Sequence, residues 1–161
     1  MKKDRFYNIL FPIWFFLFIP STWLFLITFL GNAAIDSLVL ALGCKMNHKS
    51  FVSAWKKSFP GIFAFGYLAD FIGAAILLIL STVLSDPFPY AMQFNPFSTF
   101  AGFLLVALIV ATAGALIYFF NRKISFRKLD WSLSEKRKAA LVLAVLTAPY
   151  LFLFPSILLY R

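Results

Sequence analysis

The sequence contains few charged residues, a single cysteine and a single histidine, and each scarcity excludes a class of protein. Charged residues make up 13% of the 161 positions and hydrophobic residues 62%, whereas soluble domains contain about 25% charged and about 45–50% apolar residues. Cys44 alone can form neither an intrachain disulfide nor a Cys-x-x-Cys site. His48 lies in a polar segment without further candidate ligands, so we expect no metal site and no cofactor.

The chain instead contains long apolar segments with few charges. The hydrocarbon core of a bilayer is about 30 Å thick and a helix rises about 1.5 Å per residue, so runs of about 18 or more apolar residues predict transmembrane helices. Residues 8–43 would span about 54 Å as one helix, but Pro12 and Pro20 interrupt it. We therefore expect a short apolar helix at about 8–19, followed by the first true span.

The predicted fold is a polytopic, all-α membrane helical bundle that forms one domain over residues 1–161. It has four transmembrane helices plus a short Pro-broken N-terminal helix. The predicted spans are at about 21–43, 61–85, 97–120 and 138–160. The side of the membrane on which the N-terminus lies stays open, because its basic residues favour the cytoplasm whereas four full crossings place it outside. A cytoplasmic N-terminus requires a fifth crossing by the short N-terminal helix, unless that helix is interfacial or re-entrant.

The distribution of lysine and arginine predicts the orientation. Residues 45–58 carry four lysines and no acid, residues 121–138 carry seven basic residues against two acids, and loop 86–96 has no basic residue. By the positive-inside rule, both basic loops are cytoplasmic and loop 86–96 is external. We expect the basic loops to contact membrane lipids through anionic headgroups. Basic residues confined to helix ends do not indicate binding of nucleic acid.

Two aspartates interrupt the apolar spans at similar depth. Asp36 and Asp70 each lie about 14 Å from the cytoplasmic boundary. A charge at the bilayer centre costs about 2.5–3.5 kcal/mol, so such residues usually face the bundle interior. Thr112 and Thr147 have the same predicted depth on the other two spans, and Asn32 precedes Asp36 by one turn. These five residues are therefore the predicted binding site for a proton or a cation.

Two interpretations of this polar layer remain open. Two carboxylates in a low dielectric cannot both stay ionised cheaply, so a proton, a metal cation or a cationic solute would neutralise one of them. Alternatively, each aspartate is hydrogen-bonded within the bundle and only fixes helix pairing. Pro149 provides no donor for the Val145 carbonyl, which predicts an unpaired backbone acceptor near Thr147. A stripe that includes Ala111 and Ala115 predicts the packing face of the third span.

No catalytic pattern accompanies the aspartates. Ser–His, Cys–His and His-Glu-x-x-His arrangements are absent, and the four residues before Asp70, GYLA, do not match the Gly-x-Gly-Asp motif of presenilin-type proteases. Lipoprotein signal peptidases are small four-span proteins with an aspartate pair. Their acids lie toward the outer face near Asn-containing motifs that this chain lacks. We expect no enzymatic activity, and an intramembrane aspartyl hydrolase is a remote alternative.

Two functions fit these features. One is a proton, cation or small-solute transporter or channel component, working as a homo-oligomer or with a membrane protein partner. The other is a non-catalytic accessory, assembly or immunity-type subunit. The aspartate layer favours transport. The absence of an internal repeat, and of Gly/Pro-broken half-helices in the later spans, argues against it.

The stretches FPIWFFLFIPSTW, NAAIDSLVLALG and FGYLADFIGA resemble uncharacterised small multispan membrane proteins of Gram-positive bacteria. The resemblance covers the first half of the chain. It implies a membrane protein, but no activity, cofactor or site.

Overall fold

The computed structural model describes residues 22–85 and 88–160, with the side chains of 22–25 and 159–160 excepted. These residues form an all-helical structure without strands. The predicted N-terminal helix at 8–19 lies outside the described residues.

The structure has five α-helices and four 3₁₀ turns within the described residues. The α-helices are α1 (Thr22–Met46), α2 (Phe51–Val83), α3 (Phe88–Gln93), α4 (Phe100–Lys123) and α5 (Leu133–Leu146). The 3₁₀ turns are Pro96–Ser98, Ser125–Lys128, Tyr150–Leu153 and Ser156–Tyr160.

Three helices of the described chain are long and apolar enough to cross a membrane. They are Leu26–Met46, Phe51–Val83 and Phe100–Lys128. The chain is therefore a membrane-type helical protein, but the predicted count of four spans plus one helix is not confirmed. The predicted span at 138–160 is not one continuous helix, because α5 ends at Leu146 and 3₁₀ turns follow.

The second span starts earlier than predicted. We expected a boundary at Gly61, but α2 runs from Phe51 through Pro60 without interruption. Proline inside a helix removes one hydrogen bond to the carbonyl four residues earlier, here that of Lys56. Pro60 is exposed near the basic end of the bundle, where water can solvate that carbonyl. At about 50 Å, α2 is longer than the hydrocarbon core and projects beyond it.

The four longest helices form a ring in which each packs against two neighbours. Helix α1 contacts α2 and α5, and α4 contacts α2 and α5. Both basic loops lie at the same end of this ring. Lys49 Nζ pairs with Glu135 Oε1 at 3.1 Å, and Lys57 Nζ lies 3.5 Å from Asp130 Oδ2.

The C-terminal segment extends from this basic end to the opposite one. It starts beside Lys49 at Glu135, and the Ile157 backbone N–H donates to the Phe94 carbonyl at 3.2 Å. Between them, Phe152 is buried against Gly73 of α2. The second half of this segment thus runs along the bundle as 3₁₀ turns instead of an α-helix.

The rotation of α4 differs from the predicted one. Ala111 and Ala115 are exposed, so the expectation that the alanine stripe packs against other helices was wrong. The buried face combines branched apolar residues with small ones. Its residues are Gly102, Val106, Ile109, Val110, Ala113, Gly114, Ile117 and Asn121. Small residues permit close approach without requiring it, and here the face that carries Val and Ile side chains buries apolar surface.

Candidate functional site

Asp36 lies on the face of α1 that packs against α2. Its side chain is 6% exposed, and its Oδ2 atom lies 3.5 Å from the position that a Cβ on Gly66 would occupy. The Asp36 carboxyl group therefore lies against α2 at Gly66, at a distance that is ordinary van der Waals contact for a Cβ. The prediction that Asp36 points into the bundle is consistent with this placement.

Asp70 lies one turn after Gly66 on α2, and its carboxyl group interacts electrostatically with that of Asp36. Asp70 is partly exposed, but its Oδ1 atom is buried and forms no hydrogen bond with the described residues. A buried oxygen without a partner costs about 1–3 kcal/mol, and more if it carries charge. Asp36 and Asp70 are thus close enough to interact electrostatically, and one Asp70 oxygen has no hydrogen-bond partner within the described residues.

Tyr67 is a site residue that sequence reasoning missed. Its hydroxyl lies beside the Thr28 side chain and interacts electrostatically with Asp70 and Asp36. This hydroxyl is buried and completes no hydrogen bond within the described chain. The position of Tyr67, three residues before Asp70 and thus on the same helix face, was the available signal.

Aromatic rings extend from this site along α2 toward the basic end. We define the aromatic stripe as Trp55, Phe59, Phe63 and Tyr67. Successive ring centroids in the stripe are 4.7, 5.8 and 5.1 Å apart. Phe29 of α1 contacts the end of the stripe that is farther from the basic loops. Its ring centroid lies 4.7 Å from that of Phe63 and 6.0 Å from that of Tyr67.

The other three predicted site residues, Asn32, Thr112 and Thr147, form no observed hydrogen bond with Asp36, Asp70 or Tyr67. Asn32 is partly exposed on α1, one turn before Asp36. Thr112 is exposed, and its hydroxyl donates to the Leu108 carbonyl at 2.8 Å. Thr147 caps the end of α5 and donates to the Leu143 carbonyl at 2.8 Å. Both threonines thus bond their own helix, as threonine commonly does in a membrane span.

The predicted unpaired acceptor near Thr147 is not found. The Val145 carbonyl, which Pro149 leaves without an N–H donor, accepts a hydrogen bond from the Tyr150 hydroxyl. The prediction was therefore wrong, because a side chain from the following 3₁₀ turn replaces the missing backbone donor.

The cluster consists of two carboxyl groups and one phenol flanked by aromatic rings. Within residues 22–85 and 88–160, no three His, Cys, Asp or Glu side chains come together as metal ligands. Two neighbouring carboxyl groups in a low dielectric can hold a proton or a monovalent cation, since either one removes the cost of two adjacent negative charges.

No protein-family model matches this chain, and neither the curated proteins nor the solved structures compared with it give a significant match.

Proposed function

We propose that this membrane protein is a proton, cation or small-solute transporter or channel component whose binding site is Asp36 and Asp70. The observation that carries the proposal is the unpartnered Oδ1 of Asp70 beside Asp36, between two neighbouring spanning helices. A carboxylate that only joined two helices would have its oxygens hydrogen-bonded. The unpartnered Oδ1 of Asp70 instead offers an oxygen atom to a ligand.

The chemistry of the site is exchange of positive charge. When both carboxyl groups lose their protons, two negative charges on neighbouring helices repel each other, which is unfavourable away from water. Binding of a proton or a monocation relieves this repulsion, and release restores it. The pair can thus alternate between a loaded and an unloaded state without a covalent step.

The C-terminal segment supports a fourth crossing at 138–160. Its contacts reach from Lys49 at the basic end to Phe94 at the opposite end, although α5 stops at Leu146. Non-helical backbone at membrane depth is found where protein or a water-filled cavity surrounds it, and broken helices are typical of transporter binding sites. The absence of broken half-helices had argued against transport, and this interrupted segment weakens that argument, whereas the absence of an internal repeat still argues against transport.

The proposed orientation places loops 45–58 and 121–138 in the cytoplasm and loop 86–96 outside, in a bacterial cytoplasmic membrane. Labelling of single cysteines in a Cys44→Ser background tests it. We expect a membrane-impermeant maleimide to label Tyr90→Cys, an exposed position in loop 86–96, in intact cells, and Ser53→Cys only after permeabilisation. The reverse pattern would overturn the orientation.

Anionic lipid headgroups are the proposed partners of the basic end. A cleft of about 150 Å³ opens there between α2 and the segment after α4. Its lining includes Lys49, Lys57 and Trp131, together with Asp130, which lies 3.5 Å from Lys57. Lysine beside tryptophan is typical of a membrane–water boundary.

Proton flux into liposomes tests the transport proposal. The purified chain, reconstituted with a pH-sensitive dye inside, should acidify the lumen under an imposed gradient. We expect Asp36→Asn and Asp70→Asn to abolish flux, because an amide neither takes up a proton nor carries charge. Asp130→Asn is the matched control, since its side chain is 98% exposed at the basic end. Equal flux in all four proteins would overturn the role of the pair.

A second candidate is an accessory subunit that acts through helix contacts, as a homo-oligomer or with another membrane protein. In the three candidate spans only 22–28% of the apolar window is buried, so most of each helix surface is available to lipid or to a partner. Under this alternative, Asp70→Asn changes the charge and the hydrogen-bonding capacity of a packed side chain and so alters thermal stability in detergent, and the wild type shows no flux.

A further inference from the structure

We infer that the cleft at the basic end is the headgroup site of a zwitterionic aminophospholipid, a lipid that carries a phosphate and a primary ammonium group. This inference rests on the proposed function, because it concerns the lipid partners of the basic end. It goes further by naming the lipid class and by assigning one charge of its headgroup to each wall of the cleft.

The cleft has two walls of different origin and an apolar interior. One wall is the start of α2 with Lys49 before it, and the other is the segment from Leu129 to Trp131. The buried part of the lining is apolar, because Ala54 and Leu129 are 2% and 4% exposed. A recess of about 150 Å³ with an apolar interior and polar rims fits a small polar group joined to an apolar chain.

The charged side chains at the cleft balance one another. Lys57 Nζ lies 3.5 Å from Asp130 Oδ2, and Lys49 Nζ pairs with Glu135 Oε1 at 3.1 Å. A purely anionic headgroup gains little at this point, because each lysine that it approaches already has a carboxylate beside it. A headgroup with one positive and one negative group is complementary to such a site.

Asp130 is the residue that faces the ammonium group in this arrangement. Its side chain is 98% exposed, and its distance of 3.5 Å from Lys57 Nζ is longer than the about 2.7–2.9 Å of a charge-assisted hydrogen bond. A carboxylate has about four acceptor sites. Asp130 can therefore accept from a primary ammonium group while it stays beside Lys57. A quaternary ammonium group has no N–H and cannot donate to it.

The start of α2 provides the donors for the phosphate group. Ser50, Ser53 and Lys57 line the cleft, and their spacing of three and four residues places them on one helix face. Both serine side chains are exposed, and that of Ser50 makes no capping hydrogen bond. Hydroxyl and ammonium groups are donors to phosphate oxygens.

The position of the cleft along α2 agrees with the headgroup region. Helix α2 is about 20 Å longer than the hydrocarbon core, and its charged residues, Lys56 and Lys57, lie near its start, so the excess is at this end. Trp131 in the opposite wall is typical of the membrane–water boundary. Val52 and Leu133, next to lining residues in the sequence, are 60% and 71% exposed and provide apolar surface for the acyl chains.

Native mass spectrometry of the purified full chain in detergent tests the inference. Phosphatidylethanolamine, phosphatidylcholine and phosphatidylglycerol with identical acyl chains are titrated separately. We expect saturable binding of phosphatidylethanolamine, about two- to fivefold tighter than that of either other lipid, a difference typical of one ion pair near water. Inorganic phosphate should not displace the lipid. Displacement would assign the cleft to a free anion and overturn the inference.

Two adjacent lysines provide a matched pair of variants. Lys57→Gln removes a charge from the lining and should weaken phosphatidylethanolamine binding about two- to fivefold. Lys56→Gln, at an exposed position outside the lining, should leave the affinity unchanged. Thermal unfolding of each variant shows that it is folded. Equal losses in the two variants would overturn the inference, because the cleft would then not be the binding site.

Asp130→Asn tests the ammonium side. It should abolish the preference for phosphatidylethanolamine over phosphatidylglycerol, because the ammonium group loses its charged partner. A preference that Asp130→Asn retains would overturn the inference.

The outcomes separate the inference from the proposed function. Tighter binding of phosphatidylglycerol than of phosphatidylethanolamine would overturn the inference, while anionic headgroups stand as the proposed partners. Absence of saturable binding of all three lipids would remove both. Transport is tested at a different place, since Asp70 lies about 20 Å along α2 from Lys57.

Discussion

Asp36 Oδ2 lies 3.5 Å from the position where a Cβ of Gly66 would be, whereas the same construction at Gly73 meets Phe152 Cε2 at 2.7 Å. Two glycines on one helix, two turns apart, thus have different roles. Gly66 lies against the Asp36 carboxyl group, and Gly73 receives a buried ring from the C-terminal segment.

The two glycines should respond differently to alanine. At Gly66 a methyl group makes ordinary van der Waals contact, and alanine favours helix by up to about 1 kcal/mol, so Gly66→Ala should keep or raise the unfolding temperature in detergent. Gly73→Ala should lower the unfolding free energy by about 1–3 kcal/mol, because Phe152 is buried and has to shift. Equal stability of the two variants would show that Phe152 does not pack on α2.

Tyr150 should stabilise the C-terminal segment at the point where α5 ends and the 3₁₀ turn Tyr150–Leu153 follows. Tyr150→Phe removes the donor to the Val145 carbonyl, and a backbone acceptor left unpaired in an apolar environment costs about 1–3 kcal/mol. The measurement is thermal unfolding in detergent. Tyr90→Phe on α3, also an exposed tyrosine, is the control and should differ little from wild type. If Tyr150→Phe unfolds at the same temperature as the wild type, water or lipid headgroups reach the Val145 carbonyl and the hydrogen bond from Tyr150 is not needed.

The capping box at the start of α5 predicts a stability loss at acidic pH. The Ser132 N–H donates to Glu135 Oε2 at 2.7 Å, and together with Lys49 it holds the pKa of Glu135 below its usual value of 4.5. A pKa lowered by folding contributes stability above the unfolded value, and that contribution disappears as the pH falls through the folded value. The wild type should lose stability below about pH 4.5, and Glu135→Gln should lose less over the same range.

Ser132 can be tested separately at neutral pH. Its hydroxyl accepts from the Glu135 N–H at 3.3 Å, and loss of an N-cap costs about 0.5–2 kcal/mol. Ser132→Ala should therefore lower stability by about 1 kcal/mol. Ser134→Ala, an exposed position in the first turn, is the control. If both variants unfold alike, the capping box does not hold the start of α5.

Thr112 should be dispensable for flux. Its hydroxyl bonds the Leu108 carbonyl on an exposed face of α4, so Thr112→Val should leave proton flux intact and change stability by no more than about 0.5 kcal/mol. Asp70→Asn in the same liposomes should abolish flux. Loss of flux in Thr112→Val would bring Thr112 back into the site and indicate that another copy of the chain covers this face.

The membrane class, the approximate places of three spans and the common end of the basic loops follow from the sequence alone. These features depend on residue hydropathy, on bilayer thickness and on lysine and arginine counts, none of which requires helix rotation to be known. The capping box of Ser132 and Glu135 is equally local, because its partners are three residues apart. Such features need no long-range contact.

The tertiary structure decided which faces meet and what lies in the site. Asp36 and Asp70 could be placed at one depth from the sequence, but only packing brings both aspartates and Tyr67 within electrostatic reach of each other while Thr112 lies exposed on α4. The sequence also did not predict that the Tyr150 hydroxyl would donate to the Val145 carbonyl in place of a backbone N–H. Helix rotation is set by the sum of many weak contacts between helices, and the spacing of residues along one helix carries little information about it.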